Sequence, residues 1–139
     1  MKLSPRAIAE FLLQGIADVA VMVKEGRFDV SMFWVGLEGA GTYLEAIASG
    51  DVASEADWLE RLKTCGKCPS ATPIPADPSK RIGYCGKPLD PDMAAAAPTC
   101  GCLLAGKCRV ASQSCPQRKW GPVDRVDLTI SAAEQARRN

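Results

Sequence analysis

All seven cysteines of this chain lie between residues 65 and 115, in the order Cys65-x2-Cys68, Cys85, Cys100-Gly101-Cys102, Cys108 and Cys115-Pro116. The same region carries Pro69, Pro73, Pro75, Pro78, Pro88, Pro91 and Pro98. Neither a helix interior nor a central strand tolerates that density of proline, because each one removes a backbone donor and fixes φ. A stretch this irregular needs an anchor other than backbone ladders, and thiolates gripping a metal supply one. The chain has no histidine. That excludes Ser-His-Asp and Cys-His catalysis and every imidazole ligand, so a soft-metal site here is built from sulfur.

Two residues between Cys65 and Cys68 turn the chain enough to put both sulfurs on one ion, with Gly66 suited to the turn and Lys67 offsetting thiolate charge. The C-G-C turn and Cys115 add donors from separate segments. Tetrahedral zinc takes four such ligands, and a four-iron cluster takes the same number with looser spacing. A complete disulfide set within one chain is impossible for an odd number of cysteines. A disulfide framework gains weight only if the protein works in an oxidising setting.

The 139 residues suffice for one ordinary domain or two small pieces. The net charge of +1 hides an asymmetry, since residues 1–60 carry four Lys/Arg against ten Asp/Glu and residues 61–139 thirteen against six. Two surfaces with different partners, or two regions that face each other, follow from such a division. Lys2 and Arg6 mimic the basic start of a signal peptide, but Glu10, Gln14 and Asp18 interrupt the apolar run that should follow. The same residues forbid a membrane-spanning helix. The expected compartment is cytoplasmic and reducing, where clustered cysteines favour metal over disulfides.

The fold expected is mainly α. A small N-terminal helical bundle (1–64) precedes an irregular, metal-stapled cysteine-rich module (65–120) and a tail (121–139) ending in a short helix over 132–138. Ser4-Pro5 starts a helix running to about residue 24, with Ile8, Phe11, Leu12, Gly15, Ile16, Val19 and Val23 on its apolar face and Glu10, Gln14, Asp18 and Lys24 away from it. Gly26 suits the left-handed cap. A second helix spans about 29–49, continuous despite Gly36, Gly39 and Gly41, with Phe33, Leu37, Ala40, Leu44 and Ile47 as its stripe. Ser54-x-x-Asp57 caps a third, over about 53–63, whose Trp58, Leu59 and Leu62 are expected to dock on the first two. One helical turn is expected at 93–97 and a short helix within 103–113.

The run Cys100-Gly-Cys-Leu-Leu-Ala-Gly-Lys-Cys-Arg-Val-Ala-Ser-Gln-Ser-Cys115-Pro-Gln-Arg-Lys-Trp120, with Cys65-x2-Cys68 ahead of it, resembles a small cysteine-rich metal-binding module of phage and bacterial proteins. That pattern is approximately C-x2-C, then C-x2-C-G-C, a lysine, and C-P-x2-K-W. Cys65, Cys68, Cys100, Gly101, Cys102, Lys107, Cys115, Pro116, Lys119 and Trp120 match it. Cys85 is the counterpart of the cysteine three residues before C-G-C, which makes residues 86–97 an insertion, and Cys108 has no counterpart. The resemblance covers about 56 of the 139 residues and implies a virion part, in the tail or baseplate.

Six cysteines match and one centre needs four. The expected ligands are Cys65, Cys68, Cys100 and Cys115 around one Zn2+ or 4Fe–4S cluster, with Cys85 and Cys102 next in line. Cys65 and Cys68 form a good bite, and the other two come from separate loops. Cys108 is expected to be a buried free thiol or a partner in a local disulfide.

The expected function is that of a non-enzymatic structural protein whose helical front docks on protein neighbours in an assembly. Two alternatives remain. One is a zinc-knuckle nucleic-acid-binding module using Lys107, Arg109, Arg118 and Lys119, which stand in an acid-free stretch from Met93 to Val123; compensation of thiolate charge is the preferred account of these cations. The other is an iron–sulfur redox protein. Nothing in the sequence places Asp90 or Asp92 as a general base at the metal. Trp120 is expected to be a lid that keeps water off the ion.

Overall fold

A computed structural model of the chain describes residues 5–79, 82–126 and 137. The helix expected over 132–138 lies, but for Arg137, outside them. Three helices open the chain: α1 (Pro5–Lys24), α2 (Val30–Ala48) and α3 (Glu55–Gly66). Their ends follow from local chemistry. Gly26 takes φ +66 after α1. The Asp29 side chain accepts from Ser31 N–H at the start of α2, and Ser54 accepts from Asp57 N–H at the start of α3. α2 runs unbroken through its three glycines, as expected. α3 extends to Gly66, so the boundary expected at residue 64 falls inside its last turn and Cys65 sits on the helix.

Beyond α3 regular structure is sparse, as the prolines dictate. β1 (Ala71–Thr72) pairs antiparallel with β2 (Tyr84–Cys85), and α4 (Leu104–Lys107) is a single turn. Residues 93–97 are exposed bends rather than the expected helical turn. The helix expected within 103–113 shrinks to α4, because Val110 and Ala111 pair instead with the α2–α3 connection. Val52 and Val110 form an antiparallel bridge, Ala53 N–H donates to the Arg109 carbonyl at 2.8 Å, and Ala111 N–H donates to the Asp51 carbonyl at 3.1 Å.

Among the described residues no two of these three helices pack on each other as extensively as α3 packs on α4. α3 instead packs on the cysteine module. Trp58 and Leu62 lie against a core of Cys65, Cys85, Leu104 and Cys108, while Leu59 is exposed. The Trp58 indole N–H donates to the Ala105 carbonyl at 3.1 Å. α1 and α2 flank an apolar cleft of about 470 Å³ with part of the module as its floor.

Part of the expected stripe of α1, Leu12, Gly15, Ile16 and Val19, lines that open cleft, but the residue of α1 buried most deeply is polar. Asp18 is fully buried, whereas Leu12, Ile16 and Val23 are exposed. The Asp18 carboxylate accepts from the Tyr84 hydroxyl at 2.8 Å, from Ala76 N–H at 3.0 Å and from the Gln14 amide at 3.0 Å. Burial and the Asp18 carboxylate hold the Tyr84 phenol above its ordinary pKa, so it stays a donor. Asp18 is buried with matched donors, and without it the buried Tyr84 hydroxyl would be left desolvated and unpaired. Asp18→Ala is expected to cost about 1–3 kcal/mol for that orphaned donor. The urea midpoint should fall, and trypsin should cut faster at Lys24 and Arg27. An unchanged midpoint would show that α1 is held by something else.

Candidate metal centre

α3 delivers the first thiol. Its last turn carries Cys65, and a tight reversal in which Cys68 N–H donates to the Cys65 carbonyl at 2.9 Å brings in Cys68. Gly66 is helical and serves close approach rather than the turn, because a side chain there would press on Ile82. β2 delivers Cys85. The C-G-C segment turns at Gly101, whose φ of +64 and missing Cβ let the Leu89–Asp90 backbone come close. Cys85 N–H donates to the Cys102 carbonyl at 3.0 Å, and Gly101 N–H donates to the Cys85 carbonyl at 2.8 Å. Cys85 therefore lies beside C-G-C although fifteen residues separate it from Cys100. Cys115 comes from the loop after α4, held by its N–H on the Trp120 carbonyl at 3.0 Å.

Four of these thiols, Cys65, Cys68, Cys85 and Cys115, line one small cavity of about 20 Å³ together with Lys107, Lys119 and Trp120. Three are expected ligands, and the fourth is Cys85. Cys100 and Cys102 do not line it. Cys108, fully buried, places its sulfur 3.9 Å from that of Cys65. All seven cysteines are free thiols. Among the described residues no group of three or more Cys, Asp or Glu side chains is already arranged to hold a metal ion. Asp90 pairs with Lys87 at 2.8 Å, Asp92 accepts from Ala95 N–H, and neither reaches the cavity.

Donors surround the sulfurs. The Lys119 ammonium lies 3.1 Å from the Cys68 sulfur, and the Trp120 indole N–H donates to the Cys65 sulfur at 3.4 Å. Burial opposes ionisation of Cys68, but hydrogen bonds and charge from Lys119, with Ser70, carry its pKa below the ordinary value. The hydrogen bond from Cys108 lowers Cys65 against its burial, and Trp120 helps. Thiol donation from Cys102 and Cys85 lowers Cys100. The three donating thiols, Cys85, Cys102 and Cys108, are pushed up by the same hydrogen bonds and by burial. Burial would lower the Lys107 ammonium, but the Cys100 charge beside it raises it.

Compared with known proteins, the chain matches no family model, no curated protein and no solved structure. Its site therefore rests on the arrangement of its own residues.

One residue with a large part in that arrangement escapes sequence reasoning. Arg61 is 3% exposed on α3. Its guanidinium donates to the carbonyls of Cys108 (3.1 Å), Val110 (2.8 Å), Ala111 (3.1 Å), Gln113 (3.3 Å) and Gly121 (2.7 Å), and it stacks 4.6 Å from the centre of the Trp120 ring. The signal was present. Trp58, Leu62 and Cys65 lie three before, one after and four after Arg61, which puts it on α3's apolar face.

Proposed function

We propose that this chain is a non-enzymatic structural protein whose cysteine module is fixed by one zinc ion on Cys65, Cys68, Cys85 and Cys115. The observation that carries this reading is the small cavity lined by those four thiols from separate segments. An all-sulfur donor set suits a closed structural zinc site, which has no open position for substrate. At about 20 Å³ the cavity holds roughly one water-sized body, which favours a single ion over a four-iron cluster. Four thiolates leave a Zn2+ site doubly negative, and Lys107 and Lys119 offset that charge from its edge. Trp120 closes the cavity while donating to Cys65.

The same arrangement weakens the nucleic-acid reading. Arg109 is buried with its guanidinium 4.8 Å from the Trp58 ring centre, and Lys107 and Lys119 lie beside thiols, which leaves Arg118 as the exposed cation of the four without a place at the sulfurs. The helical front supports an assembly role, since Leu13, Ile16, Val30 and Trp34 are each more than 60% exposed. Among the described residues no helix is long and apolar enough to cross a membrane. In the phage setting that the resemblance implies, the protein is a tail or baseplate part docked on its neighbours through α1 and α2.

Elemental analysis of protein purified without oxygen tests the centre. The expected result is about one zinc per chain, lost in Cys85→Ser and kept in Cys100→Ser. Iron with acid-labile sulfide would replace this reading with the redox one, and metal-free protein of the same fold would remove it.

A further inference from the structure

Cys108 stands outside the cavity yet touches one of its thiols. Its sulfur is 3.9 Å from that of Cys65, it is fully buried, and it is not among the residues lining the cavity. Cys85, another cavity thiol, likewise has a sulfur neighbour outside the cavity, Cys100, but Cys108 is the more deeply buried of the two outside thiols. A buried cysteine is often only a small apolar filler, but a filler need not face a metal ligand sulfur to sulfur. Forty-three residues separate the two, so the contact is made by the packing of α3 against α4 and not by chain proximity.

We propose that Cys65 and Cys108 form a peroxide-driven disulfide that takes Cys65 away from the metal and releases it. This rests on the zinc reading above for the metal's part in it, while the disulfide itself stands on the sulfur contact. The Cys65 thiolate, which borders the cavity beside half-buried Cys68, attacks one peroxide oxygen. The O–O bond breaks, Cys65 becomes a sulfenic acid, and the other oxygen leaves as water after taking a proton. The Cys108 sulfur then attacks the sulfenic sulfur. The S–S bond forms, the S–O bond breaks, and the departing hydroxide takes the Cys108 proton to leave as a second water. Two thiols are oxidised by two electrons in all, and one hydrogen peroxide is reduced to two waters. Cys108 acts as the resolving thiol, which keeps Cys65 from climbing to irreversible acids. With three sulfurs left, the ion lacks a closed tetrahedron and dissociates. A dithiol reductant reverses the step by exchange and restores the site.

The test uses the full-length, zinc-loaded protein. It is treated with hydrogen peroxide in the presence of a chromogenic chelator, then alkylated and mapped by mass spectrometry without reduction. The expected result is loss of about one zinc and two free thiols per chain, with the Cys65–Cys108 linked peptide dominant and zinc uptake recovered after dithiothreitol. In Cys108→Ser, zinc should bind as in the parent protein, but peroxide should then yield sulfinic Cys65 that dithiothreitol does not restore. A dominant Cys65–Cys68 or Cys85–Cys100 link would overturn the proposal. So would loss of zinc in folded Cys108→Ser before any peroxide is added, because Cys108 would then be a ligand. If the protein binds no zinc at all, the metal reading fails separately, and the linked peptide in the unvaried chain still decides whether this disulfide forms.

Discussion

Stripping the metal with a chelator is expected to unfold the segment from Cys65 to Trp120 while leaving helical signal from α1 and α2. The reason is a comparison of magnitudes. Structural zinc contributes about 10–16 kcal/mol at neutral pH in small metal-dependent domains, and whole domains are stable by only about 5–15 kcal/mol. The module has little else at that scale. Its regular structure amounts to a two-residue ladder and a single helical turn. Among the described residues the cluster at its centre is Leu104 with three cysteines, Cys65, Cys85 and Cys108, two of which line the cavity. Trp58 and Trp120 pack on that core, so near-ultraviolet dichroism should collapse on chelation and return when zinc is restored. Far-ultraviolet dichroism should fall by much less. A metal-free protein with unchanged aromatic signal and unchanged protease resistance across 65–120 would refute the dependence.

Replacing Arg61 should have the second large effect. Five carbonyls from four stretches of the 108–121 loop converge on one guanidinium. A hydrogen bond from a charged donor contributes about 1.5–3 kcal/mol, so losing several of them together should cost on the order of 3–5 kcal/mol. Arg61→Leu should lose that much in urea denaturation of the zinc-bound protein, and it should loosen Trp120, whose ring lies against the guanidinium. Arg61→Lys is expected to recover little. An ammonium keeps the charge but has three donors and no planar fork, so it reaches only some of the carbonyls and stacks poorly. A lysine variant within about 1 kcal/mol of the parent, which is the worth of one ordinary hydrogen bond, would mean that charge alone matters.

The helices were legible because their signals are local. Ser54 and Gly26 cap or stop helices through groups within a few residues, and the structure places them in those roles; at the start of α2 the sequence offers Asp29 or Ser31, and the structure has Asp29 as the cap. The burial of Asp18 on α1 was not legible. The helix's apolar periodicity points one way, but the two donors that decide the matter, Tyr84 and Ala76, lie 66 and 58 residues from Asp18. The pairing of Cys65 with Cys68 was likewise a local matter of spacing. The approach of Cys85 to C-G-C was visible only through the resemblance, because an excursion of the chain hides it from spacing arguments. Arg61 reads in isolation as a solvated helix cation. Only its position on the apolar face hints otherwise, and its five acceptors are backbone atoms, which leave no mark in a sequence.

That excursion is pinched at its neck. Gly86 has φ +81 and lies so close to the Thr99 side chain that a Cβ there would overlap it, and the bridge between Asp92 and Thr99 closes the far side. The path therefore departs and comes home at one point, and what happens in between does not disturb the thiols. Closing a flexible loop twice as long costs only about 0.6 kcal/mol more. The exposed stretch 91–97 is thus a splice point where foreign peptides of varied size can be grafted for display, with the cysteine cavity left untouched.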